Sequence, residues 1–264
     1  MQASSFQNLT KHVTYNRTPR VWSLLVTVFG ELAQDREARI SGLLLRHLSE
    51  HIGIKPEAMR VALHRLRKDG WIDSERTGRT STYFLTPWGR EQSIAASPRI
   101  YAKGPAASDA WLVIFNPGDS AQDNDASGAW ISSNLLVTSV RPESDDIVAT
   151  ELRSADTLPD WVTNKVCDPA TVSLSQDFLA ALEALQASLG TAPHLTPMQI
   201  AALRVLLVHG WRRIVLKAPM LPDHVFSEGW RGMDCRAGTS ILLDQLPKQR
   251  LADLEQRLLT DVSG

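Results

Sequence analysis

Residues 53–85 read GIKPEAMRVALHRLRKDGWIDSERTGRTSTYFL, and the fold turns on this stretch. Pro56 suits the first position of a helix, where its missing N–H costs nothing. Met59, Ala62, Leu63 and Leu66 recur at the three-and-four spacing of one buried face. Arg60, His64, Arg67 and Lys68 fall on or near the opposite face, with Lys55 just ahead of the helix. Gly70 supplies the left-handed residue that stops a helix. Residues 71–76 and 81–85 are rich in aromatic and β-branched side chains and read as two strands, joined by the basic turn Thr77-Gly78-Arg79-Thr80. A basic helix running straight into such a hairpin predicts a winged helix-turn-helix, whose partner is double-stranded DNA.

Upstream, the same order completes itself. Thr18 can cap a helix with Pro19 at its first position and Trp22, Leu25, Val26, Phe29 and Ala33 along one stripe. Ile40 predicts a short strand pairing with the later hairpin, and Ser41 caps a second helix that turns Leu44, Leu45, Leu48 and Ile52 inward. Residues 51–55 then make the sharp turn. Residues 1–17 are polar and unpatterned and read as a loose arm.

Downstream, Thr86-Pro87 repeats the cap-then-proline start, predicting a helix to about residue 96 that Ser97-Pro98 breaks. Residues 99–105 read as a link. Residues 111–115, 135–140 and 146–152 read as strands, 116–128 as loop, and 176–189 as a helix with Phe178, Leu182, Leu185 and Leu189 on one face. Thr196-Pro197 opens a strongly apolar helix to about residue 208, and residues 239–246 and 251–259 complete a mostly helical region. The fold class is therefore α+β. Three domains are expected: a DNA-binding domain over 18–104, an α+β domain over 105–190, and a helical domain over 191–264.

Charge supports this division. The net charge of −1 hides 16 basic against 9 acidic residues in 1–104, 3 against 13 in 105–190, and 9 against 7 in 191–264. Only the first third is drawn to phosphates. No apolar run reaches the roughly 18 residues of a membrane span, and the first residues lack a signal-peptide core, so the protein is expected in the cytoplasm, away from membranes. Cys167 and Cys235 lie in no metal-type pair and read as buried free thiols. The histidines show no metal spacing. There is no phosphate loop and no Gly-x-Ser-x-Gly elbow, so neither an enzyme nor a bound cofactor or metal is expected.

Several stretches together resemble the PaaX-type family of repressors of phenylacetate catabolism: LLVTVFGE (24–31), AMRVALHRLRKDGWI (58–72), YFLTPWGRE (83–91), RIY (99–101) and LLVHGWRRIVLKAPMLPDHVFSEGWRG (206–232). The resemblance implies a dimeric transcriptional repressor with a winged N-terminal domain, a ferredoxin-like middle domain and a helical C-terminal domain. It also implies release from the operator of an aromatic catabolic operon by an aryl-CoA thioester such as phenylacetyl-CoA. Two places depart from the family pattern. Residues 116–128 stand where an amphipathic helix would follow the first middle-domain strand, and Ala218 precedes Pro219 where an acidic residue is usual. The family's middle domain also resembles a small nuclease of CRISPR spacer acquisition, which needs an aspartate near the end of that strand. Here the strand ends Ile114-Phe115-Asn116, so a metal-dependent nuclease is a distant alternative. A DNA-binding module controlled by a protein partner is another.

The candidate DNA contacts are Lys55, Arg60, His64, Arg65, Arg67, Lys68, Arg76, Arg79, Thr80, Ser81 and Thr82. Arg60 and Arg67 stand two turns apart, and arginine forks onto guanine O6 and N7 or grips phosphate. His64 reads as contact or bystander, and Arg65 as phosphate ligand or structural side chain. Arg79 at the turn fits a minor groove or its phosphates. Arg76, Ser81 and Thr82 are phosphate candidates. For the effector, the candidates are His209, Trp211, Arg212, Arg213, Lys217 and Trp230: cations for CoA phosphates, tryptophans to cover a ring. The same residues could instead knit the C-terminal region together.

Overall fold

The computed structural model describes residues 2–14, 20–78, 80–116, 127–190 and 194–263. Contacts gather the chain into two units: residues 1–98, 181–210 and 239–264 form the first, and residues 99–180 and 211–238 the second. Both mix helix with a small antiparallel sheet, so the chain is α+β. The units do not follow three successive segments, because three helices of the later chain each contribute to both.

The first unit is built on α2 (Val21–Leu32), where Leu24 to Phe29, Glu31 and Leu32 are all buried. A helix apolar all round belongs in a core, so the single stripe expected here understates it. Thr18 and Pro19, expected to start it, lie outside the described residues. β1 (Ile40–Ser41) pairs antiparallel with β3 (Thr80–Leu85), which pairs with β2 (Ile72–Thr77) in the order β1-β3-β2. Between them, α3 (Gly42–Ile52) begins at Ser41, whose Oγ accepts from the Leu44 N–H at 3.0 Å, and ends at Gly53 with φ 81°. α4 (Pro56–Lys68) follows, with Pro56 in its first turn and Met59, Ala62, Leu63 and Leu66 buried. Its chain reverses at Gly70, φ 74°.

α5 (Pro87–Tyr101) starts where Thr86 Oγ1 accepts from the Gly89 N–H at 3.0 Å. A Cβ on Gly89 would meet the Trp71 carbonyl oxygen at 2.2 Å, so only glycine lets this first turn lie against the start of the hairpin. The helix does not break at Ser97-Pro98 as expected. Proline removes one backbone bond, but Ser97 Oγ donates to the Ser93 carbonyl at 2.9 Å, and Gln34 Nε2 donates to both serine hydroxyls. Tertiary bonds thus hold the turn that local sequence would open.

Residues 1–17 are not wholly a loose arm either. α1 (Gln2–Thr14) buries Phe6, Leu9 and Val13, an i, i+3, i+7 set. The first unit is completed by the end of α7 (Pro169–Leu189), most of α8 (Pro197–Val215), the end of α9 (Gly232–Gln245), and α10 (Leu251–Ser263). Thr196 and Gln199 form a capping box on α8, each side chain bonding the other's backbone N–H, at 3.3 and 2.9 Å. Buried Arg204 of α8 donates Nε to Glu31 Oε1 at 2.7 Å and Nη1 to the Leu243 carbonyl at 2.9 Å and to the Leu246 carbonyl. Glu255 of α10 accepts from both N and Oγ of Ser41 at 2.7 Å.

The second unit holds β4 (Trp111–Phe115), β5 (Gly128–Ser132), β6 (Leu135–Thr138) and β7 (Ile147–Glu151), all antiparallel, in the order β5-β6-β4-β7. Numbered along the chain from β4, that is 2-3-1-4. No helix joins β6 to β7: residues 139–146 are turn and loop. α6 (Asp160–Val166) and α7 come after the last strand. β5 and α6 were not anticipated, α7 begins earlier than expected at Pro169, and α8 runs on past residue 208 to Val215.

Candidate nucleic-acid interface

Burial of Met59, Ala62, Leu63 and Leu66 fixes which side of α4 looks outward. At about 100° per residue, the direction opposite that face falls within about 40° of Glu57, Val61, His64 and Lys68. Arg60 and Arg67 flank these on one side and Arg65 on the other, and all seven are exposed. Lys55 is exposed at the N-cap. Several cations have carboxylates close by. Arg60 Nη2 lies 4.0 Å from Glu57 Oε1, Arg65 Nε 3.4 Å from Asp69 Oδ2, and Arg67 Nε 4.0 Å from Asp73 Oδ1. Such solvent-open pairs hold a side chain only weakly. Arg65 differs, because its guanidinium also lies 4.9 Å above the Trp22 ring. That second contact gives it a structural role on the flank of the helix.

The hairpin sorts its candidates by face. Ile72 and Leu85 are buried, so Ser74, Arg76, Ser81 and Tyr83 share the inward face by alternation, while Thr80 and Thr82 are on the other with Glu75. Arg76 and Ser81 are thus brought together as a cross-strand pair, and are separated from Thr80 and Thr82. Arg76 Nε donates to the Gly78 carbonyl at 3.2 Å, bracing the turn where Gly78 takes φ 62°. Arg79 lies outside the described residues. On the outer face, Arg39 lies 3.9 Å above the Phe84 ring and 3.9 Å from Glu75 Oε2. Glu57, Val61 and Arg39 are surface residues of this region that motif reading passed over. Their signal is the i, i+4 spacing of Glu57 and Val61 and the facing strand register of Phe84.

Three of the six expected effector residues are buried in packing contacts. His209 is buried, its Nδ1 3.3 Å from Thr27 Oγ1. Trp211 is buried, stacks on Phe178 with centroids 6.2 Å apart, and donates Nε1 to the Ile100 carbonyl at 3.0 Å. Trp230 stacks on Phe226 at 4.6 Å and donates Nε1 to Asp223 Oδ1 at 3.2 Å. Neither tryptophan face is open as a platform for a ligand ring. Arg212 is half-buried, and burial lowers its pKa against the opposing influence of Tyr101. Arg213 and Lys217 are exposed. The RIY stretch is structural in the same way: Arg99 Nη2 donates to the Val215 and Ala218 carbonyls at 2.5 and 2.6 Å, capping the end of α8. A surface cavity of about 550 Å³ lies in the first unit, lined by Leu189, Leu195, Ile200 and Leu246 with Gln186 and Gln245. None of the six expected effector residues lines it. Among the described residues, no three His, Cys, Asp or Glu side chains are grouped as metal ligands would be, and no helix is long and apolar enough to cross a membrane.

Fold and site together define an α+β protein that displays a basic helix beside an antiparallel hairpin. Residues 20–89 match the family model described as PaaX-like protein, and residues 172–251 match the one described as PaaX-like protein C-terminal domain. The chain belongs to the PaaX-like family. It is 27% identical to transcriptional repressor PaaX of Escherichia coli (strain K12), over 81% of this chain and 76% of that protein. It is also similar to the solved structure of the uncharacterized protein Rv0674 from Mycobacterium tuberculosis, at 17% identity and a TM-score of 0.43, covering 86% of this chain and 97% of that one.

Proposed function

We propose that the chain is a PaaX-like transcriptional repressor that binds duplex DNA through a winged helix-turn-helix within residues 18–104. The observation that carries the reading is the outward face of α4. It is exposed along its length, carries His64 and Lys68 with Arg60 and Arg67 along one flank, and is followed after Gly70 by a two-stranded wing. An α-helix fits the major groove of B-DNA, and cations beside it meet the flanking phosphates. α3, the Gly53 turn and α4 make the helix-turn-helix, and α2 packs behind α4. Arg76, Ser81, Thr80 and Thr82 place hydroxyl and guanidinium donors near the wing tip for the backbone.

In this reading the protein acts as a homodimer on two half-sites about one duplex turn, roughly 34 Å, apart. The sheet of the second unit has the strand order and directions of a ferredoxin-like domain, with a loop in place of the helix between its third and fourth strands. An aryl-CoA thioester, phenylacetyl-CoA or a close analogue, releases the operator. Exposed Arg213 and Lys217 are the cations this reading assigns to its phosphates, with half-buried Arg212 beside them in sequence. A ligand weakens DNA binding only by favouring a geometry that misplaces the recognition helices.

The test is selection of duplexes from a random pool, followed by titration of the recovered sequence over a range of salt. An enriched palindrome, bound with a log–log salt slope of about −0.9 per phosphate neutralised, is expected. Failure to enrich any sequence, or binding indifferent to salt, would remove the DNA reading. Adding CoA thioesters to the complex tests release. A thermal shift without thioester but with a cell protein would instead indicate control by a partner.

A further inference from the structure

Val61 is the large apolar side chain left exposed on α4, at 70% of its full accessibility. It is not part of the buried face, which is made by Met59, Ala62, Leu63 and Leu66. It is a poor choice for an ordinary solvated helix position. Valine is β-branched and less favourable than alanine, lysine or glutamate in a helix interior, and its methyls gain nothing from water. Its surroundings on the surface are charged or polar: Glu57 one turn earlier, His64, Arg65 and Lys68 on following turns, and Arg60 next to it in the chain. It also stands in the N-terminal half of the helix, the part that enters a major groove most deeply when a second helix of this type binds duplex.

Base edges in the major groove present one apolar group, the 5-methyl of thymine. We infer that Val61 is a specificity-determining residue whose γ-methyl groups pack on the thymine methyl of one base pair in each half-site. The inference rests on the DNA-binding reading above and sharpens it. Arg60, one residue earlier, would then address the neighbouring position, a guanine, so that the two side chains together select a T next to a G. Glu57, on the same face one turn earlier, disfavours phosphate and is suited to a cytosine amino group instead.

The experiment uses the full-length protein and the duplex it selects from a random pool. Each thymine of the selected half-site is replaced in turn by deoxyuridine, which removes only the methyl group. For the wild type, one substitution per half-site should weaken binding by about fourfold, the loss expected for one buried methyl-sized group. Val61→Ala should bind thymine and uracil duplexes alike, near the affinity of wild type for uracil. Because Val61 is exposed and alanine favours helix, the variant should keep the wild-type melting midpoint, which a circular dichroism melt confirms. Discrimination by wild type at no thymine, or equal discrimination by Val61→Ala, would overturn the role of Val61 while leaving the DNA reading intact. Failure of wild type to select any duplex would overturn both.

Discussion

Arg60→Ala separates base reading from simple charge. The Arg60 side chain is 72% exposed, and its partner Glu57, three residues earlier, is 74% exposed with 4.0 Å between nitrogen and oxygen. A pair this open contributes about 0–1 kcal/mol, so moving the guanidinium from carboxylate to a guanine edge costs little. A bidentate guanine contact contributes about 1–3 kcal/mol. The difference, about 1–2 kcal/mol for each half-site, is roughly a five- to thirtyfold rise in Kd. The fold should not suffer, because an exposed helical arginine changed to alanine shifts stability by less than about 0.5 kcal/mol. Anisotropy titrations of a labelled selected duplex and a scrambled one, at three salt concentrations, read the effect. Loss confined to the selected duplex, with the salt slope unchanged, is expected. Equal loss on both duplexes with a slope shallower by about one would show a phosphate contact, and no loss on either would remove Arg60 from the interface.

Three further outcomes follow from the packing. Glu31→Ala should destabilise the chain by about 3–5 kcal/mol, because it strands the buried guanidinium of Arg204, and a denaturant titration that shows less than 1 kcal/mol would refute that weight. Gly89→Ala should destabilise by about 1–3 kcal/mol or more, since the added Cβ would sit 2.2 Å from the Trp71 carbonyl oxygen; a wild-type melt would show that the first turn of α5 can move away. Burial pushes both Cys167 and Cys235 up to about 12, reinforced by Asp168 at the first and by Asp234 and Asp223 at the second. An unfolded thiol ionises near 8.5. The folded protein therefore holds its thiol protons more tightly, and this contribution to stability is complete below pH 8 and is lost as pH rises from about 9 to 12. Neither thiol should react with a disulfide reagent at pH 8 until denaturant is added, and reaction of either in the native protein would refute their burial.

What the residues made legible, and what they hid, follows from whether local or distant contacts decide an element. The hairpin and α3 were readable because their signals are local: Ser41 caps Leu44, Gly53 and Gly70 take positive φ, and β-branched residues alternate beside Gly78. α5 was misjudged at Pro98 because the bonds that hold it come from Gln34, some sixty residues away. α1 was hidden differently: Phe6, Leu9 and Val13 carry the helical period, but so few apolar residues in a polar stretch decide nothing until a core is there to receive them. β5 was missed because Gly128 opens a strand whose register is set by Leu135 to Thr138 rather than by its own composition.

The sites carry a sharper lesson, because packing and ligand binding draw on the same side chains. Trp211 and the neighbouring arginines look like a ring platform with phosphate ligands. In the folded chain the indole stacks on Phe178 and bonds the Ile100 carbonyl, while Arg99 closes the end of α8. A cation beside an aromatic ring can be a binding site or a rivet, and only burial separates the two. Arg65 over Trp22 repeats the ambiguity within the basic helix. Val61 is the converse. Apolar residues are assigned to the core by default, so the one that points to water on a charged face goes unread until the buried face of α4 is fixed. Exposure of a single valine is ordinary in itself; what gives Val61 its weight is its place among Glu57, His64 and Lys68 on the outward face of α4, the face that the DNA-binding reading turns toward base edges.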